Sequence, residues 1–147
     1  MKILLAIDDS KFSEAAVQMV LAQARPQDTK VRVLHVLEPP SLLLGRELGT
    51  DPAFEVAWTV QREQAKALVE EIATMLRGSG LDAVSAIEEG NPKSKIIDVA
   101  SQWNADLIVL GSHGRKGLDR FLMGSVAESV ARHANCSVEI VRLPSPR

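Results

Sequence analysis

The residues best suited to chemistry sit together in GSHGRKGLDRFLMGSV, from Gly111 to Val126. The stretch holds four glycines and three basic residues, between an apolar run, DLIVL, and a helical pattern, AESVARHA. Glycine lets backbone N–H groups approach a ligand with no Cβ in the way. The first N–H groups of a helix lack internal partners, and its dipole adds partial positive charge there. A glycine loop running from a strand end into a helix start can therefore cradle a phosphate. Ser125, at the expected N-cap, adds a hydroxyl, and Arg115 and Lys116 add charge. The competing reading is a glycine-rich connection with a solvated basic surface.

Familiar phosphate motifs do not match. A Walker A loop ends in Gly-Lys-Ser/Thr, whereas this one ends in Met123-Gly124-Ser125. The dinucleotide fingerprint is absent too, since the glycines run Gly111-x-x-Gly114-x-x-Gly117. Neither Ser112 nor Ser125 lies in a G-x-S-x-G elbow, so a hydrolase triad is not expected. Histidines at 35, 113 and 133 give no metal-ligand spacing. His35, in an apolar run, reads as a satisfied core histidine, and His133 as a cation at a helix end. No base for activating water stands near the loop, which points to binding without fast turnover.

Positioning such a loop requires an alternating chain. KILLAI (2–7), VRVLHVL (31–37) and DLIVL (106–110) are short, nearly continuous apolar runs, as strands buried on both faces require. DAVSAIE (82–88) and SVEIVR (137–142) alternate, with Val138, Ile140 and Arg142 on one face and Glu139 and Val141 on the other. Helices are expected over 13–24, over about 51–76 with a stripe of Ala65, Leu68, Ile72, Met75 and Leu76, from Asn91-Pro92 to about Trp103, and from Ser125 to about Ala134. Strict alternation predicts an α/β domain with a parallel sheet. Glu38–Thr50 reads as a long loop.

At 147 residues the chain fits one domain, 1–147. A net charge of −2 and 3% aromatics give no field or stacking platform for nucleic acid, so no nucleic-acid partner is expected. No apolar stretch reaches a membrane span, and the early run KILLAI is too short for a signal sequence. A single cysteine, Cys136, excludes an internal disulfide and suits a reducing compartment. The expected location is cytoplasmic.

Gly111-x2-Gly114-x9-Gly124-Ser125 resembles the nucleotide-binding signature of the ATP-binding universal stress proteins, G-2x-G-9x-G-(S/T). KILLAIDDSKFSEAA resembles that family's first strand and loop, LHVLEP its second strand, and residues 88–142 its C-terminal half, leaving only 38–60 unmatched. Ser137, where the family often has proline, and Glu139 inside the last strand depart from the pattern. The resemblance implies a three-layer, Rossmann-like open sandwich (the adenine nucleotide alpha hydrolase-like fold) around a five-stranded parallel sheet of order 3-2-1-4-5. That order reverses between strands 1 and 4, which is where open α/β sheets bind ligands. By similarity, Gly111, Gly114 and Gly124 contact ribose and phosphates, and Ser125 and the N–H of Val126 hold phosphates. Asp8 or Asp9, beside Ser10, faces the adenosine, Val36 packs on the base, and His113 and Arg115 stand at variable positions of the motif. The implied function is a regulatory or stress-response protein that binds ATP, with Mg²⁺ as the usual companion of a triphosphate, and hydrolyses it slowly at most. The alternatives are a nucleotide-dependent enzyme, either a slow ATPase or ligase-like, and a binder of AMP, ADP or a cyclic nucleotide. The last strand is expected at a sheet edge, where it pairs two chains as a homodimer.

Overall fold

Ile3, Leu4 and Leu5 are apolar at consecutive positions, so their strand needs cover on both faces. In the computed structural model none of the three has exposed surface, and Lys2–Ala6 forms β1 at the centre of the sheet. The structure describes residues 1–39, 52–114 and 122–143. After β1 come α1 (Lys11–Gln23), β2 (Lys30–Leu37), α2 (Pro52–Gly78), β3 (Asp82–Glu89), α3 (Pro92–Trp103), β4 (Leu107–Gly111), α4 (Ser125–His133) and β5 (Ser137–Val141). The sheet has the order β3-β2-β1-β4-β5, and every pair is parallel. The alternation is as expected from the apolar pattern, and the order 3-2-1-4-5 is the one the family resemblance implies.

Odd and even positions of the central strands feed two cores. Ile3, Leu5, Ile7, Val31 and Val33 pack under α1 and α2 with Val17, Val20, Val69 and Leu76. Leu4, Ala6, Leu34, Val36, Ile108 and Leu110 pack under α3 and α4 with Ile96, Val99, Ala127 and Val130. Side chains as fully buried as Leu34 and Ile108 contribute about 1.5–3 kcal/mol each.

Local sequence explains most boundaries. Ser10 caps α1 by accepting the Ser13 N–H, and Pro26 follows the end of that helix. Asn91 caps α3, Pro92 opens it, and Asn104 closes it in the left-handed region at φ 58°. The stripe of α2 differs from the expected one: Ala65, Val69, Ala73 and Leu76 are buried, while Met75 is 42% exposed. Leu68 and Ile72 flank this line, half-buried against the same core, so of the expected stripe only Met75 turns to solvent. The first half of α2 is held by Trp58, buried against Leu37 and Ala65, with the Arg62 guanidinium 5.1 Å above its ring.

The register levels the strand tips that matter. Ala6 pairs with Leu34 on one side and Leu110 on the other. The chain then leaves β1 for α1 on one face of the sheet and leaves β4 for α4 on the other, which opens a cleft between the two loops.

Candidate functional site

The β1–α1 loop is bonded to itself. The Asp8 N–H donates to Ser13 Oγ at 2.8 Å, and the Ser13 hydroxyl donates back to Asp8 Oδ1 at 2.8 Å. The Ser10 N–H donates to the same Oδ1 at 2.9 Å. The Ser13 N–H meets Ser10 Oγ at 3.3 Å, which completes the cap of α1. Asp8 is half-buried and Asp9 exposed.

The β4–α4 loop is closed at its neck and open at its helix. Ser112 is buried, and its N–H donates to the Val141 carbonyl at 2.9 Å. Its own carbonyl accepts the Gly124 N–H at 2.7 Å, pinning the two ends of the glycine loop together. Gly124, with φ −63° and ψ 155°, is the N-cap of α4, and among the described residues no side chain caps it. Ser125, the expected cap, is instead the first helical residue. Its hydroxyl therefore stands beside the helix start rather than closing it. The first intrahelical bond runs from the Glu128 N–H to the Gly124 carbonyl at 3.0 Å. The N–H groups of Ser125, Val126 and Ala127 precede it and have no helical partner.

Each motif glycine answers to a different neighbour. A Cβ on Gly111 would lie 2.7 Å from Phe12 Cβ and 2.8 Å from the Phe12 backbone. A Cβ on Gly124 would lie 2.9 Å from the Ser112 carbonyl oxygen and 3.0 Å from His113 Cα. These two glycines are required by the protein's own packing. Among the described residues, a Cβ on Gly114 would meet only Asp8 Oδ2, at 3.0 Å. Gly114 lines the crevice.

One crevice, about 1400 Å³, gathers these groups. Its walls include Asp8, Asp9, Val36, Gly111, His113, Gly114, Gly124, Ser125 and Val126. Ser10 is not among them, because its side chain is spent on α1. Arg115 lies outside the described residues. His113 contacts Phe12 with ring centroids 5.0 Å apart, and its Nδ1 lies 3.1 Å from Ser112 Oγ. Its Nε2 is buried with no hydrogen-bond partner among the described residues. A smaller cavity of about 570 Å³ lies at the opposite end of the strands, around Asp28, Asp82 and Asp106. No three metal-ligating side chains converge there or elsewhere among the described residues.

His35 and Lys93 are among the wall residues that sequence reasoning missed. His35 lines the crevice half-buried, with Nδ1 2.6 Å from the Ile7 carbonyl. A carbonyl only accepts, so Nδ1 carries the proton. Lys93 also lines the crevice, just inside α3. An apolar neighbourhood concealed the first, and the helix-start signal of Asn91-Pro92 drew attention from the second.

The universal stress protein family model matches residues 1–142. Universal stress protein MJ0531 of Methanocaldococcus jannaschii is 31% identical over 143 residues, covering 97% of this chain and 82% of that protein. The structure of the protein MJ0577 superimposes with a TM-score of 0.85 at 28% identity, covering 99% of this chain and 97% of the other. A universal stress protein of Archaeoglobus fulgidus, solved in complex with dAMP, matches with a TM-score of 0.67 at 25% identity, covering 96% and 97% of the two chains. The order of the strands, the glycine-lined crevice and these matches converge: the chain belongs to the universal stress protein family.

Proposed function

We propose that this protein binds an adenine nucleotide, ATP in the first place, in the crevice between the tips of β1 and β4. The observation that carries this is the start of α4. The caps of α1 and α3 are side-chain oxygens of Ser10 and Asn91, whereas α4 begins at Gly124 with no side-chain cap and faces the crevice. A phosphate is the natural partner for the N–H groups of Ser125, Val126 and Ala127. Gly114 leaves room for its approach, and the Ser125 hydroxyl adds a donor. The related Archaeoglobus fulgidus protein was solved with dAMP, which supports an adenine nucleotide as the ligand class. Mg²⁺ would travel with the triphosphate, which supplies most of its ligands in such sites. The role is regulatory, and any hydrolysis is slow. Calorimetric titration of ATP, AMP and GTP into protein refolded from denaturant tests the assignment. Micromolar binding of ATP or AMP with weaker binding of GTP is expected. Binding of no adenine nucleotide at millimolar concentration would overturn it.

A homodimer through β5 belongs to the same proposal. The sheet has two outer strands, β3 and β5. On β3 the Ala83 carbonyl accepts from Arg77 Nε of α2 at 2.9 Å, and Glu70 bridges Arg77 and Ser85. On β5, Glu139 is drawn toward α1 by Gln23, whose Nε2 donates to Oε2 at 2.7 Å. This removes the like-charge contact that an in-register pair would otherwise bring. Light scattering at micromolar concentration should give twice the 15.9 kDa chain mass. Ile140→Pro, which deletes a ladder donor, should give the monomer mass.

A further inference from the structure

We propose that Ser13 is a positioning residue for ligand selectivity: it fixes the Asp8 carboxylate so that Oδ2 accepts a ribose hydroxyl of the bound nucleotide. The inference rests on the nucleotide-binding function proposed above and adds the residue that sets sugar preference.

Ser13 is 6% exposed, unusual for a serine in the first turn of a helix. Its hydroxyl has one proton and can both donate and accept. The oxygen already accepts the Asp8 N–H at 2.8 Å, so the proton is free to go to Asp8 Oδ1, also 2.8 Å away. A carboxylate only accepts, which fixes the direction of that bond. The Ser10 N–H supplies a second donor to the same oxygen at 2.9 Å. Two donors on Oδ1 hold the rotation of the carboxylate. Neither of them engages Oδ2, which points across the crevice to within 3.0 Å of where a Gly114 Cβ would stand.

That oxygen faces the glycine loop, at the sugar-phosphate side of the crevice. Phosphate would be repelled by it, so the group it suits is a neutral donor next to the phosphates. In a nucleotide that group is a ribose hydroxyl. Without the Ser13 hydroxyl the Asp8 N–H loses its acceptor and Oδ1 loses a donor, and the carboxylate can turn Oδ2 away. Ser13 itself borders the crevice, but its hydroxyl is engaged by the Asp8 N–H and by Asp8 Oδ1, so its effect on the sugar runs through that carboxylate.

The test compares ATP with 2′-deoxy-ATP and 3′-deoxy-ATP by calorimetry, in the native protein and in Ser13→Ala and Ser13→Thr. The native protein should prefer ATP to one of the two deoxy analogues by about tenfold, the value of one hydrogen bond to a charged group. Ser13→Ala should bring that ratio close to one while the analogues still bind. Ser13→Thr, which keeps the hydroxyl, should restore it. General loosening of the loop would weaken all three ligands alike and leave the ratio unchanged. A native-like ratio in Ser13→Ala, or equal binding of all three ligands by the native protein, would overturn the proposal while leaving nucleotide binding intact. Failure of the native protein to bind any of the three would instead overturn the function proposed above. Should Ser13→Ala not fold, Ser13→Cys keeps the shape with a weaker donor and should lower the ratio severalfold, and a native ratio there counts against the proposal.

Discussion

The two loops that face each other across the crevice are built on opposite plans. The β1–α1 loop satisfies its own polar groups: Ser10 caps α1, and Ser13 and Ser10 hold the Asp8 carboxylate. The β4–α4 loop satisfies its neck, through the Gly124 to Ser112 bond, and leaves the start of α4 without a side-chain cap. A self-satisfied loop is a rigid wall. A helix start with no side-chain cap leaves its first N–H groups to water or to a bound anion. On the proposed function, the difference would put recognition of charge on the β4 side and recognition of shape and neutral groups on the β1 side. It also separates positions that hold the protein together from positions reserved for a ligand, although both carry the same residue type.

The sharpest way to break this comparison is Gly111→Val. The Phe12 backbone, 2.8 Å from the new Cβ, belongs to α1 and cannot yield as a flexible side chain would. The two loops would be forced apart, at a cost of about 3 kcal/mol or more. For a domain of this size that is a drop of roughly 6–12 °C in melting midpoint, readable by circular dichroism without any ligand. A midpoint within 2 °C of native, as an approximate limit for a negligible change, would show that Gly111 is not a packing residue.

Gly114→Val should act in the other way. Among the described residues its Cβ meets only the Asp8 carboxylate, at 3.0 Å. The melting midpoint should fall by only a few degrees, about 1 kcal/mol. ATP affinity should fall about a hundredfold, the loss of a close backbone approach and its charge-assisted bonds. Gly124→Val cannot make this separation, because its Cβ would run into the Ser112 carbonyl and so would disturb loop and ligand together. Unchanged calorimetric affinity in Gly114→Val would move the phosphates elsewhere.

How much of this was legible in the sequence follows the range of the interactions. ILLAI predicts a central strand because both of its faces are apolar, and Asn91-Pro92 marks a helix start through contacts within a few residues. The spacing of Gly111, Gly114 and Gly124 was equally visible. What each glycine is for was not, since Phe12, the neighbour of Gly111, lies on the other side of the sheet's reversal point and far away in the chain. His35 was hidden for the same reason: its partner is the carbonyl of Ile7, just past the end of β1. The cap of α4 was misplaced by one residue, from Gly124 to Ser125, because serine is the commoner cap and sequence alone cannot tell a helix closed by its own side chain from one left open.

That one-residue shift leads to the finest test, a pair of serines at the starts of two helices. Ser10→Ala removes a side-chain cap and should cost about 1 kcal/mol, a loss of roughly 2–4 °C in melting midpoint. Ser125→Ala removes a hydroxyl that caps nothing, since Gly124 is the N-cap. Without ligand it should therefore leave stability within about 0.5 kcal/mol of native. With ATP the order should reverse. The hydroxyl of Ser125 borders the crevice and would donate to a phosphate oxygen, so its loss should weaken ATP about tenfold, the value of one hydrogen bond to a charged group. Ser10 does not line the crevice and acts on Asp8 through its backbone N–H, which alanine retains. Ser10→Ala should bind ATP within about threefold of native, less than the 1.4 kcal/mol that a tenfold change represents. Melting curves and calorimetry on both variants give a two-by-two comparison. Equal losses of stability would return the cap of α4 to Ser125, and equal losses of affinity would mean that the two loops share the phosphate.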